Sequence, residues 1–354
     1  MNSGSVSLGS LFGIRVNLHW SVVVIAVLVG TSLAHELGVP AAMLGAAGFL
    51  ASILVHELSH ALTARHYDVE TESIQLWALG GIARLSDESP TARAEGWIAA
   101  AGPLASLGLG LGLTGLWWVG GGDGPYWGLL AWLGFINGLL AVFNLLPGAP
   151  LDGGRIVKAW RWGRHGNRYR ATREAGRAGV VLAWAMMAGG LMLLVDGQSS
   201  LLLIITGMFI LVNARVEMAA SVVAERLDGV TVGDLTWYGV AQAGPDMDAD
   251  SMLWQRTRLG AAGGVAVTNA AGELEGLVLE DQLWDVPADQ RPWVMLTQLM
   301  VPVDRVTRAR ADEPLTAVLT RLDPRRPAIT VWSGDRLIGM VPPSRLQERL
   351  DGVR

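Results

Sequence analysis

His56-Glu57-Leu58-Ser59-His60 sits inside a run that is otherwise apolar from Ala41 to Leu62. On a helix of about 3.6 residues per turn, positions four apart stack on one face, so His56 and His60 can grip one metal ion while Glu57 stands beside it. The pattern is a zinc-hydrolase signature. A bare motif of this kind also fits a surface helix carrying two histidines. Here the flanks Leu50-Ala51-Ser52-Ile53-Leu54-Val55 and Ala61-Leu62 suit a membrane, where ionisable groups are costly and rarely present without a role.

The whole chain agrees with a lipid setting. Of 354 residues, 51% are hydrophobic and 17% charged, and the mean hydropathy is +0.36, too apolar for a wholly soluble enzyme. Cysteine is absent, so disulfides, thiolate metal sites and a cysteine nucleophile are excluded and any metal must use His, Asp or Glu. The net charge is -5, with basic residues gathered in one internal loop rather than on a nucleic-acid-binding face. Met1 to Arg15 lacks the basic start and short apolar core of a cleaved signal peptide.

Apolar stretches of about 20 residues mark membrane helices, and the sequence predicts about six: residues 17–35, 41–64, 94–118, 127–147, 178–196 and 199–217. The loops at 36–40, 119–126 and 197–198 contain no Lys or Arg. Arg65, Arg84 and Arg93 follow the second span, and Arg155, Lys158, Arg161, Arg164, Arg168, Arg170, Arg173 and Arg177 follow the fourth. The positive-inside rule then predicts a multi-pass protein of the cell membrane with both termini cytoplasmic. The histidine pair falls about two turns from the cytoplasmic end of its span.

Between the second and third spans, Val69-Glu70-Thr71-Glu72-Ser73-Ile74-Gln75-Leu76 partly alternates, and Leu79-Gly80-Gly81-Ile82-Ala83-Arg84-Leu85 offers a second strand. The expectation is a small membrane-associated β-hairpin, either a connector or an edge able to pair with an extended peptide. In the third span, Ala99-Ala100-Ala101-Gly102-Pro103-Leu104-Ala105-Ser106 reads as close helix packing. His19 reads as a polar anchor, and His35, His66 and His165 as solvated. After the fourth span comes Asn144-Leu145-Leu146-Pro147-Gly148-Ala149-Pro150-Leu151-Asp152-Gly153-Gly154-Arg155. Two prolines end the helix there, and Asp152 reaches the depth of the histidines. It could cap the next helix, but beside a two-histidine site missing a third protein ligand it reads as that ligand. Asn144 is placed to bond freed backbone or a substrate carbonyl.

The paired motifs, with the Gly80-Gly81 hairpin and Ala101-Gly102-Pro103-Leu104, resemble the site-2 protease family of intramembrane metalloproteases over residues 10–220. The resemblance implies one Zn2+ ion held by His56, His60 and Asp152, with Glu57 activating water and single-pass membrane proteins as substrates. Substrate contacts are expected at Asn144, Gly80 and Gly81. A membrane zinc transporter or receptor could use the same ligands, but would have no need of Glu57 as a base outside the ligand set. A non-catalytic scaffold would not need the motif, which is intact.

From about Glu217 the chain becomes polar, and a pattern recurs 63 residues apart: Val265-Ala266-Val267-Thr268 with Gly272, Leu274 and Gly276-Leu277-Val278, then Ala328-Ile329-Thr330-Val331 with Gly334, Leu337 and Gly339-Met340-Val341. Thr231-Val232-Gly233-Asp234-Leu235 and Leu296-Thr297-Gln298-Leu299-Met300 open the two copies. Together they resemble a tandem CBS pair, which implies a regulatory module that often binds adenosine nucleotides. Nucleotide-binding copies commonly carry Ser or Thr three residues after the glycine of the second strand and Asp three later. Here those positions hold Leu279 and Gln282, then Pro342 and Arg345. A nucleotide ligand is therefore open, and homodimerisation is an alternative use of the module. The expected fold is a polytopic α-helical membrane protease domain over residues 1–220, with an α/β CBS pair over 221–354, its copies at about 228–290 and 293–350.

Overall fold

The computed structural model describes residues 5–77, 80–85, 89–197, 200–259, 264–322 and 329–351. It divides into two compact units, Met1–Ser221 and Val222–Arg354.

Unit 1 begins with two strands that the hydropathy reading overlooked. β1 (Ser5–Leu11) and β2 (Ile14–His19) form a hairpin, closed by Phe12 and Gly13, whose φ values of 51° and 83° lie in the left-handed region. α1 (Ser21–Leu37) follows, then a turn at Gly38 (φ 80°) leads into α2 (Val39–His66). The predicted first span is thus corrected: residues 17–19 belong to β2, and α1 has 17 residues. At about 1.5 Å per residue it covers roughly 25 Å, less than the ~30 Å hydrocarbon core. The sheet packs beside the start of α1 and the C-terminal half of α2. β3 (Thr71–Trp77) pairs in parallel with β2, and antiparallel β4 (Gly80–Leu85) ends the order β1-β2-β3-β4. Ile14, Val16, Ile74 and Leu76 pack with Ala61, and Leu54 and Leu58 close the same cluster. Leu79 lies outside the described residues.

Four more long helices follow, α3 (Ala92–Gly120), α4 (Pro125–Asn144), α6 (Arg168–Val195) and α7 (Leu201–Leu227), with the shorter α5 (Asp152–His165) after α4; the last turns of α7 lie beyond Ser221. Among the described residues five helices, α2, α3, α4, α6 and α7, are long and apolar enough to cross a membrane, with α1 shorter. Thr91 caps α3, its hydroxyl accepting the Ala94 N–H at 3.1 Å. Asn137 of α4, fully buried, donates to the Ser52 hydroxyl of α2 at 2.9 Å, joining the two helices through a polar contact.

Small residues hold the start of α5 against the preceding turn. A Cβ on Gly154 would stand 2.3 Å from the Ala149 nitrogen, and one on Gly153 would stand 2.3 Å from the Leu146 carbonyl oxygen. From the other side, a Cβ on Gly179 of α6 would stand 2.1 Å from the Ala149 oxygen. Residues 145–151 are therefore clamped between α5 and α6, and Asp152 leaves the clamp as the first residue of α5.

Unit 2 opens with α8 (Val232–Leu235) and β5 (Trp237–Tyr238). One strand-helix-strand-strand-helix copy follows as β6 (Ala241–Ala243), α9 (Ala249–Leu259), β7 (Gly264–Thr268), β8 (Leu274–Leu279) and α10 (Glu280–Asp285). After α11 (Leu296–Leu299) and β9 (Val301–Pro302) the second copy runs through β10 (Thr307–Arg310), α12 (Leu315–Arg321), β11 (Ile329–Ser333), β12 (Arg336–Val341) and α13 (Pro343–Asp351). Ala328 lies outside the described residues. The two sheets have matching orders, β6-β7-β8-β9 and β10-β11-β12-β5. Each opening segment packs on the other copy. The Val232 and Gly233 N–H groups donate to Glu313 and Ala311 carbonyls at 2.9 and 2.8 Å, while Leu296 N–H donates to Met247 at 2.9 Å. Val232 and Leu235 enter the core of Leu315 and Ile329, and Leu296 that of Met252 and Leu283.

Candidate metal centre

His56 and His60 stand one turn apart on α2, their rings edge to face with centroids 4.9 Å apart. Their Nε2 atoms are 3.2 Å from each other, and each is 3.2 Å from Oδ2 of Asp152. A tetrahedral zinc ion with bonds of about 2.0–2.1 Å spaces its ligand atoms roughly 3.3 Å apart. The triangle has that size. His56, His60, Asp152 and Glu57 are all buried, none above 9% exposed. Asp152 does not cap α5: the cap position is Leu151, without a side-chain bond, and the carboxylate turns to the histidines.

The far nitrogens are held by α3. The Nδ1–H of His60 donates to the Ile98 carbonyl at 2.6 Å; since a carbonyl only accepts, the neutral ring has its Nε2 lone pair facing the triangle. Nδ1 of His56 bonds the Ser106 hydroxyl at 2.9 Å. Between them lies Gly102, where a Cβ would stand 2.3 Å from His60 Nε2 and 2.7 Å from His56 Nε2. The absent side chain leaves room beside the nitrogens, and two imidazoles with a carboxylate suit zinc. A metal fits.

Glu95, Ile98, Gly102 and Ser106 are spaced three, four and four apart, so they share one face of α3. From the sequence this helix reads as close packing, with Ala101-Gly102-Pro103-Leu104 part of the family resemblance and no contact to the histidines assigned to it. The available signal was the spacing itself together with an acid in an apolar helix. Glu95, 4% exposed, accepts from the Ser89 hydroxyl through Oε2. Its Oε1 lies 3.2 Å from Nε of Arg155 and 3.5 Å from Nζ of Lys158, both on α5. Arg155 in turn places Nη1 3.9 Å from Asp152 Oδ1. Burial lowers the pKa of the Arg155 guanidinium, but the Glu95 and Asp152 carboxylates outweigh it and hold it above its ordinary value.

Glu57 follows His56 on α2, its carboxylate within electrostatic range of both histidines and Asp152. Asn144 ends α4 with its amide donating to the Leu140 carbonyl at 3.0 Å, and is not drawn into the His-His-Asp triangle. Gly80 and Gly81 lie on β4 at the end of the four-stranded sheet, opposite Trp77 and Leu76. In unit 2, a cleft of about 740 Å³ is lined by Thr268, Glu273, Arg308, Trp332, Asp335 and Arg336, among others.

Residues 44–121 and 123–188 match the profile of Peptidase family M50. The chain is 38% identical to a Mycobacterium tuberculosis protein bearing the name zinc metalloprotease Rip3, over 99% of this chain and 94% of the relative. It is 29% identical to a Synechocystis protein also named as a zinc metalloprotease, over 92% and 89%. Among solved structures, the site-2 protease from Methanocaldococcus jannaschii aligns over 60% of this chain and 95% of that one at 29% identity, with a TM-score of 0.46. The CBS domain of a bacterial CNNM/CorC family Mg2+ transporter aligns over 38% of this chain and 86% of that one at 14% identity, with a TM-score of 0.30. With 38% identity to the Rip3 relative along nearly the full length of both chains and the buried His-His-Asp triangle, the chain belongs to the site-2 protease family, Peptidase family M50, and is a multi-pass intramembrane zinc metalloendopeptidase.

Proposed function

We propose that His56, His60 and Asp152 hold the zinc ion, that Glu57 is the general base, and that the substrates are single-pass membrane proteins cut in or near their transmembrane segments. The observation carrying this reading is the 3.2 Å triangle of buried ligand atoms with Glu57 adjoining it.

His56, His60 and Asp152 would hold the zinc ion, which would supply Lewis acidity to a substrate carbonyl and to the attacking water. Glu57 accepts the proton of the attacking water and passes it to the departing amide nitrogen. Two neutral imidazoles and one carboxylate leave a net positive charge to meet the developing oxyanion. A substrate helix must unwind before this, because its amides are satisfied internally. The outer edge of β4 at Gly80 and Gly81, the last strand of the sheet among the described residues, receives the extended segment by strand pairing, and Asn144 contacts its backbone from the end of α4.

The protease domain occupies residues 1–220 and the CBS pair residues 221–354. The pair controls the protease through protein contacts, including homodimerisation, rather than as an ordinary ATP or AMP sensor. Both termini are cytoplasmic in the cell membrane, supported by the arginines at 155–177 and the Lys- and Arg-free loops at 36–40 and 119–126.

Glu57→Gln tests the chemistry. It should keep one zinc per chain and lose about 10²–10⁴ in turnover, read by metal analysis beside a cleavage assay. Undiminished turnover would remove Glu57 from the mechanism.

A further inference from the structure

We infer that Glu95 is a positioning residue for Asp152, acting through Arg155. The inference rests on the proposed reading of Asp152 as a zinc ligand and goes beyond it by naming what aims that ligand.

Asp152 has two oxygens with different neighbours. Oδ2 is 3.2 Å from both imidazole Nε2 atoms, while Oδ1 faces Nη1 of Arg155 at 3.9 Å. Arg155 is one turn further along α5, so a carboxylate and a guanidinium on the same helix face meet without help from another element. The guanidinium itself is anchored from α3, where Glu95 Oε1 stands 3.2 Å from its Nε. Glu95 is fixed in turn: its Oε2 accepts from Ser89, its Oε1 also meets Lys158 at 3.5 Å, and it is 4% exposed. A charge this deeply buried is stable only when paired.

The chain from Glu95 to Arg155 to Oδ1 decides which carboxylate oxygen faces the histidines. Without it the carboxylate could turn, or bring both oxygens to the metal and crowd the position that water and substrate need. The backbone clamp around Gly153 and Gly154 sets where α5 starts, and the ion chain sets how its first side chain points. Glu95 also belongs to the α3 face that holds both histidines through Ile98 and Ser106. One helix face thereby orients all three ligands, a part that outer partners of metal ligands commonly play.

The test uses full-length protein in detergent, with Zn2+ affinity read by chelator competition and ligand geometry by the visible spectrum of the Co2+-loaded protein. Glu95→Gln should weaken Zn2+ binding about 10- to 100-fold and shift the Co2+ bands. In an Arg155→Gln background it should add no further loss. Wild-type affinity and spectrum in Glu95→Gln, or losses that simply add in the double variant, would overturn the inference. Should Glu95→Gln fail to fold, Glu95→Asp reads the same question, with a smaller loss and a shifted spectrum expected and wild-type behaviour overturning the idea. Asp152→Ala run in parallel separates the two readings: retained Zn2+ there sinks the ligand assignment, whereas Zn2+ lost there but kept in Glu95→Gln sinks only the role of Glu95.

Discussion

The hydroxyl of Ser106 lies 2.9 Å from Nδ1 of His56, joining α3 to the histidine-bearing face of α2 inside the helical core. Such a partner fixes ring orientation and the nitrogen left for the metal. Ser106→Ala should therefore lower zinc affinity about 10- to 100-fold while leaving the helices intact. Chelator competition measures the affinity and circular dichroism the fold; unchanged affinity would reduce the contact to packing.

Gly102 faces the same nitrogens from the middle of that helix face. A Cβ there would approach His60 Nε2 to 2.3 Å, so Gly102→Ala must displace either a histidine ring or α3 itself. Overpacking of this kind typically costs about 1–3 kcal/mol, and here it falls on the ligand atoms. The expected result is a folded protein with little bound zinc. Stoichiometric zinc in that variant would place the metal elsewhere.

The clustering of the three side chains was readable because His56 and His60 share a helix face through local spacing, and Asp152 could be placed at their depth by counting spans. The helix face at Glu95, Ile98, Gly102 and Ser106 was not read. Small residues pack membrane helices whether or not they border a metal, and the His60 partner is the Ile98 backbone carbonyl, which no side chain announces. The β1–β2 hairpin was hidden differently. Ile14, Val16 and Leu18 alternate with Arg15 and Asn17 as a strand should, yet their apolar tail runs into α1 and merges with it in a hydropathy window. In unit 2 the repeat was legible from its glycines and strands. The exchange of α8 and α11 between copies was not, because it depends on long-range packing of Val232 and Leu296.

The clamp at residues 145–151 predicts a stability effect. Gly154→Ala puts a methyl group 2.3 Å from the Ala149 nitrogen, and Gly179→Ala one 2.1 Å from its oxygen. Backbone atoms cannot rotate away as a side chain can. Each variant should lose about 1–3 kcal/mol, seen as a lower thermal midpoint. Gly108→Ala, where nothing lies within 4 Å, is the control and should not lose stability.

The orientation can be tested cleanly because the chain contains no cysteine. Asp123→Cys, in the loop before α4, should react with a membrane-impermeant thiol reagent added to intact cells. His165→Cys, at the end of α5, should react only after permeabilisation. The reverse pattern would invert the topology and move the cleavage site to the opposite side of the membrane.

The last prediction concerns nucleotides. At the positions where nucleotide-binding CBS copies commonly hold a hydroxyl and a carboxylate, this chain has Leu279 with Gln282 and Pro342 with Arg345. Gln282 is engaged locally, its Oε1 accepting the Leu279 N–H at 2.9 Å, and Arg345 stacks over Trp237 with its guanidinium 5.6 Å from the ring centroid. Neither copy offers a carboxylate to a ribose there. Losing a charge-assisted hydrogen bond of that kind costs roughly 1.5–3 kcal/mol, about tenfold to a hundredfold in affinity. The cleft at Arg308, Trp332 and Arg336 is lined by both signs of charge, with Glu273 and Asp335 opposing an anion. Isothermal titration of the full-length protein with ATP, ADP and AMP should accordingly show no binding in the micromolar range. Micromolar binding abolished by Arg308→Gln or Arg336→Gln would make the second unit a nucleotide sensor and displace the reading that it works through protein contacts.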